Sequence, residues 1–283
     1  MLAIAFGGTT AFAQDLTSKK GEPYLPEAGD WAIGFDAAPF LTYAGQLFGN
    51  AASNSSPAVN YVGNMPWGIT GKMFKDEKTA YVGMLRIGMT TTTTENKVLD
   101  QTNTSTTPKY VVDEYKAADH NILLGAGMEW RRGKTRLQGY YGGMVWLSLG
   151  GMKDTYTYGN VISATYLTPV STDWTMPTPQ AGTAMGTRIT ENKPGGSFGF
   201  GVRGFIGAEY FILAKISIGA EYGWGIGLKS TGDGTMKTES FDVPSNGALI
   251  TTAETGGKKW FGLDTDLSGN MLGTGSIRIM FHF

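Results

Sequence analysis

Apolar and polar positions alternate with period two over long stretches of this chain. Across 214–228, the even positions are Ala214, Ile216, Ile218, Ala220, Tyr222, Trp224, Ile226 and Leu228. The odd positions are Lys215, Ser217, Gly219, Glu221, Gly223, Gly225 and Gly227. Successive side chains of a β-strand point to opposite faces, so this segment predicts a strand with one apolar face and one face of glycine and polar groups. A helix would scatter both classes around its axis. Phe198, Phe200, Val202, Ile206, Ala208 and Tyr210 repeat the pattern against Arg203 and Glu209. Ile122, Leu124, Ala126, Met128 and Trp130 repeat it against Asn121, Glu129 and Arg131, and Met271, Ile277, Ile279, Phe281 and Phe283 against Thr274, Ser276, Arg278 and His282. Trp31–Leu41, Trp67–Phe74, Tyr81–Met89 and Thr135–Leu149 complete the set. The last is less clean, because Tyr140 and Trp146 fall on its polar face.

Eight strands are therefore expected, and the segments between them alternate in length. Lys75–Lys78, Arg131–Lys134 and Phe211–Ala214 are tight turns. The stretches near 45–65, 96–116, 151–195 and 230–266 are long and rich in Thr, Ser, Asn, Gly and Pro. The threonine run Thr90–Thr94 and the tract Gln101–Pro108 read as strand continuing beyond the apolar band, with β-propensity and no apolar demand. Short turns alternating with long loops is the asymmetry of outer-membrane barrels, which place turns in the periplasm and loops outside. Aromatics fit that orientation. Trp31, Tyr81, Trp130, Tyr210, Phe281 and Phe283 lie on apolar faces at the turn ends of their strands, while Trp67, Phe198 and Trp224 lie toward the other ends. Two aromatic girdles bounding an aliphatic band are what a bilayer selects. The expected fold is all-β: an eight-stranded antiparallel up-and-down transmembrane β-barrel over roughly 28–283.

Composition agrees. The chain has 42 glycines, 12% aromatic residues and 17% charged residues, against about 25% charged for an ordinary soluble domain. A net charge of −1 argues against a nucleic-acid partner, which usually needs a basic face. Zero cysteines excludes disulfides and thiolate metal sites. Apolar and small residues near the start lead to Ala11-Phe12-Ala13 ahead of Gln14-Asp15, the A-x-A pattern of a signal-peptidase site, although the usual basic n-region is missing. Residues 1–13 are thus expected to be an export signal and 14–283 the barrel domain. No stretch supplies the ~18 consecutive apolar residues of a transmembrane helix.

Eight strands, four long loops, three short turns and a terminal Phe283 within an aromatic strand together resemble the small outer-membrane barrels typified by OmpX and the transmembrane domain of OmpA. The likeness covers roughly residues 28–283 and is architectural. It implies an outer-membrane protein with structural, adhesive or partner-binding roles. Its partners would be outer-membrane lipid, the assembly machinery that reads the C-terminal strand, and a further envelope protein bound through the loops or the lipid-facing wall.

Other signals are weaker. Gly199-Phe-Gly-Val-Arg-Gly204 matches the dinucleotide fingerprint G-x-G-x-x-G but lies inside an alternating strand with no helix after it, so no cofactor is expected. Inward positions carry Asp36, Lys72, Arg86, Glu129, Arg136, Arg203, Glu209, Lys215, Glu221 and Arg278. Eight strands leave an interior that side chains just fill, so these charges predict a paired structural network, with a narrow gated path as the alternative. His120, beside Asp119, is expected at an outer strand end, where a lipid-modifying enzyme would need a Ser–His pair. No G-x-S-x-G motif accompanies it. His282 faces inward, toward the charges. Two histidines and no cysteine make a transition-metal site unexpected. Asp264–Asn270 has the acidic spacing of a calcium loop, but Gly275 stands where an EF-hand needs glutamate.

Overall fold

The computed structural model describes residues 16–37, 68–265 and 276–283, and every regular element among them is a β-strand. In chain order these are β1 (Trp31–Asp36), β2 (Ile69–Asp76), β3 (Thr79–Leu99), β4 (Tyr110–Arg132), β5 (Leu137–Thr157), β6 (Val170–Asp173), β7 (Gln180–Ala184), β8 (Thr187–Lys193), β9 (Ser197–Leu213), β10 (Ile216–Thr231), β11 (Gly234–Asp242), β12 (Gly247–Thr255), β13 (Lys258–Thr265) and β14 (Ser276–His282). All eight predicted strands are present, as β1, β2, β3, β4, β5, β9, β10 and β14. Trp67, 38–41, the loop near 45–65, Met271, the expected signal 1–13 and most of Asp264–Asn270 lie outside the described residues.

Those eight strands pair antiparallel in a closed ring. β1 joins β2, β2 joins β3, and the series runs through β4, β5, β9 and β10 to β14, which returns to β1. The register fixes the stagger. From Ile216 on β10, directly opposed residues lead through Phe281, Ile33, Gly71, Gly83, Ala126, Val145 and Val202, arriving back on β10 at Ile226. One circuit thus ends ten residues from its start, Ile216 to Ile226. With a rise of about 3.3 Å per residue and strands about 4.8 Å apart, that stagger sets a tilt of about 41° and a backbone radius of about 8 Å.

The stretches near 96–116, 151–195 and 230–266, expected as loops, are built largely of strand. β3 and β4 stay paired up to Leu99 and Tyr110. The expectation of a strand over Gln101–Pro108 fails: that tract is the connecting turn, closed by Thr102 N donating to Asp100 Oδ1 (2.8 Å) and Asn103 Nδ2 donating to Thr107 O (2.7 Å). Asp and Asn side chains that bond nearby backbone compete with the ladder. Beyond the ring, β8 leads into β9, β10 into β11 and β12 into β13, and the registers carry across the breaks. Ser197↔Thr231 is followed four residues on by Lys193↔Thr235, and Lys258↔Thr231 three residues on by Thr255↔Gly234. The ring wall therefore continues upward as one raised sheet with a crease. Gly195, Gly196, Gly232, Gly256 and Gly257 mark it. A Cβ on Gly195 would collide with the carbonyl of Gly232, and one on Gly257 with that of Thr231. The backbones approach there more closely than any larger residue allows.

The two faces of the ring have opposite character. Outward positions are large, apolar and exposed: Ile33 and Phe35 on β1, Met73 on β2, Ile87 on β3, Leu124 on β4, Val145 on β5, Ile206 on β9, Trp224 on β10 and Phe281 on β14. Val145 and Ile206 keep 59% and 63% of their surface open, whereas inward Ser217 and Glu209 keep 0% and 1%.

Candidate functional site

The inward face of the ring carries a dense set of charges that the strand alternation concentrates in one place. At the turn end, Lys72 Nζ sits 2.8 Å from Glu129 Oε2 and 3.4 Å from Glu209 Oε2, and Arg131 Nη1 sits 3.0 Å from Glu129 Oε1 and 2.8 Å from Glu209 Oε2. Two cations and two carboxylates thus alternate around a square drawn from β2, β4 and β9. The Arg131 guanidinium lies over the rings of Phe74 (5.3 Å) and Phe211 (5.7 Å). Ser217 Oγ donates to Glu209 Oε1 and lies 2.9 Å from His282 Nε2, so His282 reaches the charges as its inward position predicts.

A second group lies farther along the ring. Glu221 takes Arg203 Nη1 at 2.7 Å and a two-pronged contact from Arg278, at 2.9 and 3.0 Å. Tyr140 Oη donates to Glu221 Oε2 at 3.4 Å, and Lys72 Nζ stands 4.6 Å above the Tyr140 ring, linking the two groups. Glycine makes the room: a Cβ on Gly223 would land on the Arg203 guanidinium, and one on Gly201 on the Trp146 indole. The Gly199–Gly204 match to the dinucleotide fingerprint therefore lies within β9, with Trp146 packed against it.

Of the predicted network residues, Lys72, Glu129, Arg203, Glu209, Glu221 and Arg278 are brought together in these pairs, and Arg86 is half-buried on the inward face of β3. Asp36 stands across the ladder from Arg278. Two expectations fail. Lys215 is exposed in the turn before β10, because a register shift between Ile216 and Ser217 interrupts the alternation there. Arg136 lies in the turn before β5, where it donates to the carbonyls of Phe211 (2.7 Å) and Ile212 and stacks on Tyr24 (4.1 Å). Arg131 was not counted in the network; its place two residues from Glu129, on the same face, was the available signal. The aromatic residues Trp31, Tyr81, Trp130, Tyr210, Phe281 and Phe283 all face outward, with Trp130 stacked on Tyr141 at 5.7 Å.

The raised sheet holds a second polar core that alternation does not announce. Buried Asp113 accepts from Gly159 N (2.8 Å) and Thr172 N (2.6 Å). Buried Arg188 donates to Asn160 O (2.8 Å), Ser171 Oγ (2.7 Å) and Glu239 Oε1 (2.6 Å), and lies 4.2 Å from the Tyr158 ring centre. Tyr115 stacks on Tyr156 (5.0 Å) and Trp174 (5.6 Å). Burial, with Asp154 as its hydrogen-bond acceptor at 3.0 Å, pushes the Tyr115 hydroxyl up to about 12. Glu191 bridges Lys153 (2.7 Å) and Lys237 (2.9 Å), whose hydrogen bonds pull its carboxyl down to about 2.

Among the described residues no cluster of three or more His, Asp or Glu is placed to hold a metal ion, and no hydrogen bond joins His120 to a serine. His120 is exposed on β4 opposite Gly151, where any side chain would strike the imidazole. At the turn end, residues 16–30 and the turns before β3 and β5 enclose a cleft of about 530 Å³ lined by Leu25, Glu27, Lys78, Arg131, Arg132 and Lys134. No protein-family model and no curated protein matches the sequence.

Proposed function

We propose that this chain is an eight-stranded up-and-down β-barrel of a bacterial outer membrane, closed inside by its ion network, with the raised sheet exposed for partner binding. The observation that carries the reading is the inversion of the ring: large apolar side chains circle its outside while paired ions fill its inside. In water each outward Leu, Ile, Val or Phe would forgo the roughly 1.5–3 kcal/mol that burial provides. Lipid restores that term. The heights agree as well. Phe198 and Tyr210, the aromatic ends of the outward face of β9, stand twelve residues apart, about 30 Å along the axis at the tilt derived above, enough to flank an outer-membrane apolar band of about 25 Å. The A-x-A site at Ala11–Ala13 supplies the export such a protein needs.

The role is non-enzymatic. The buried acids and bases are committed to one another, and the surface available to an external partner is the raised sheet. The test is fractionation of cells expressing the full chain. The protein should travel with outer membranes, require detergent for extraction, and migrate faster on gels unheated than boiled. Recovery in the soluble periplasm without detergent overturns the reading.

A further inference from the structure

The raised sheet ends on one side in β12, whose only strand partner among the described residues is β11. Eight of its nine residues are exposed. An edge strand presents unpaired N–H and C=O groups at alternate residues, and proteins ordinarily blunt such edges with lysine, proline or a bulge. β12, Gly-Ala-Leu-Ile-Thr-Thr-Ala-Glu-Thr, contains no lysine and no proline, and its ladder with β11 runs without a register shift. Its neighbour β11, inside the sheet, carries Lys237, Glu239 and Asp242. Among the described residues, an unblunted strand thus lies at the edge of the sheet.

We propose that β12 is a self-association edge, which pairs antiparallel with β12 of a second copy of this chain. The sequence is suited to that occupant. A ladder using all nine residues places Thr251 opposite Thr251, Ile250 opposite Thr252, Leu249 opposite Ala253, and Ala248 opposite Glu254. Threonine against threonine and β-branched neighbours are favourable cross-strand pairs. Glu254 is the strand's only charge, and in this register the two copies of it stand six residues apart along the ladder. That is about 20 Å, beyond the Debye length of about 8 Å at physiological salt, so the pairing meets no like-charge repulsion. The proposal rests on the reading of the raised sheet as the binding part of the molecule, and it names the partner.

The chain has no cysteine, so single-cysteine variants report contacts without background. Directly opposed residues of an antiparallel pair have Cα atoms about 4.5–5.5 Å apart, within the roughly 4.4–6.8 Å that a disulfide spans. Under mild oxidation of the full-length protein in detergent, Thr251→Cys is expected to give covalent dimer. Leu249→Cys alone should give little, and a mixture of Leu249→Cys with Ala253→Cys should give it again. Val243→Cys, exposed outside the ladder, is the control for random collision. Each sample is also run unheated, so that a misfolded ring is recognised separately from a folded ring that does not pair. Dimer from Thr251→Cys no more abundant than from Val243→Cys, in protein that still shows heat-modifiable migration, overturns the proposal.

Discussion

Glu221 accepts from Arg203 on β9 and from Arg278 on β14, so its loss removes a buried carboxylate that two guanidinium groups share. Breaking a buried pair costs about 3–5 kcal/mol, and Glu221→Ala should lower the temperature at which the folded, fast-migrating gel form is lost. Gly223 belongs to the same unit, since a Cβ there would occupy the place of the Arg203 guanidinium. Gly223→Val and Arg203→Ala remove one interaction by two routes, and changes within one network do not add. The double variant should therefore melt close to the worse single; a fully additive loss would show that the glycine acts elsewhere. On the outer face the sign reverses. Ile206 is exposed near the middle of the apolar band, and Ile206→Arg should cost about 2–4 kcal/mol in a bilayer, read from detergent-to-lipid folding titrations. These assignments were legible in the sequence because alternation alone separates inward from outward positions. Lys215 and Arg136 were misread because both sit in turns, where alternation carries no information.

Elements were harder to read above the band. Alternation of apolar with polar residues requires an apolar environment on one face, and the raised strands have water on much of both, as the exposed Thr90–Thr94 segment of β3 illustrates. Their threonines fit strand as well as loop, so β6, β7, β8, β11, β12 and β13 were expected only as loop. Asp113 and Arg188, the centre of the upper core, were not singled out, because both fall in stretches expected as loop. One consequence is a pH dependence that resides in the raised sheet. Glu191 is held down to about 2 by Lys153 and Lys237, while an unfolded glutamate titrates near 4.3. A depressed folded value means that the contribution is complete above the unfolded value and disappears as pH falls through the folded one. Pepsin should thus cut within β8 and β11 increasingly as pH is lowered from about 4.5 to about 2, while the ring resists. Glu191→Gln should flatten that dependence without changing the ring's melting. Both lysines are about half exposed (49% and 42%), so added salt should weaken the effect.

The whole molecule is set by a quantity that no stretch of sequence displays. Eight strands could be counted from the pattern, but the ten-residue stagger from Ile216 to Ile226 emerges only when every neighbouring register is known, and with it the radius of about 8 Å. That radius decides whether the inner face is a channel or a filled core. Side chains projecting inward from opposite walls of so narrow a tube meet at its axis, and Lys72, Glu129, Arg131 and Glu209 join residues from three strands across it, with less than a twentieth of each side chain open to solvent. Tyr140 and Phe205 stack edge-on next to them at 6.3 Å, and Trp146 fills the space over Gly199 and Gly201. An ion crossing this interior would have to displace charges already neutralised by one another, each separation costing several kcal/mol in a low-dielectric setting. The wild-type protein in planar bilayers should consequently show no steady conductance. Glu221→Ala should lower stability before it opens any path, because the Lys72 square lies in series with it and stays intact. A persistent open current from the wild type would contradict the filled interior. A current appearing only in a variant lacking both Glu209 and Glu221 would locate the barrier in the two ion groups together.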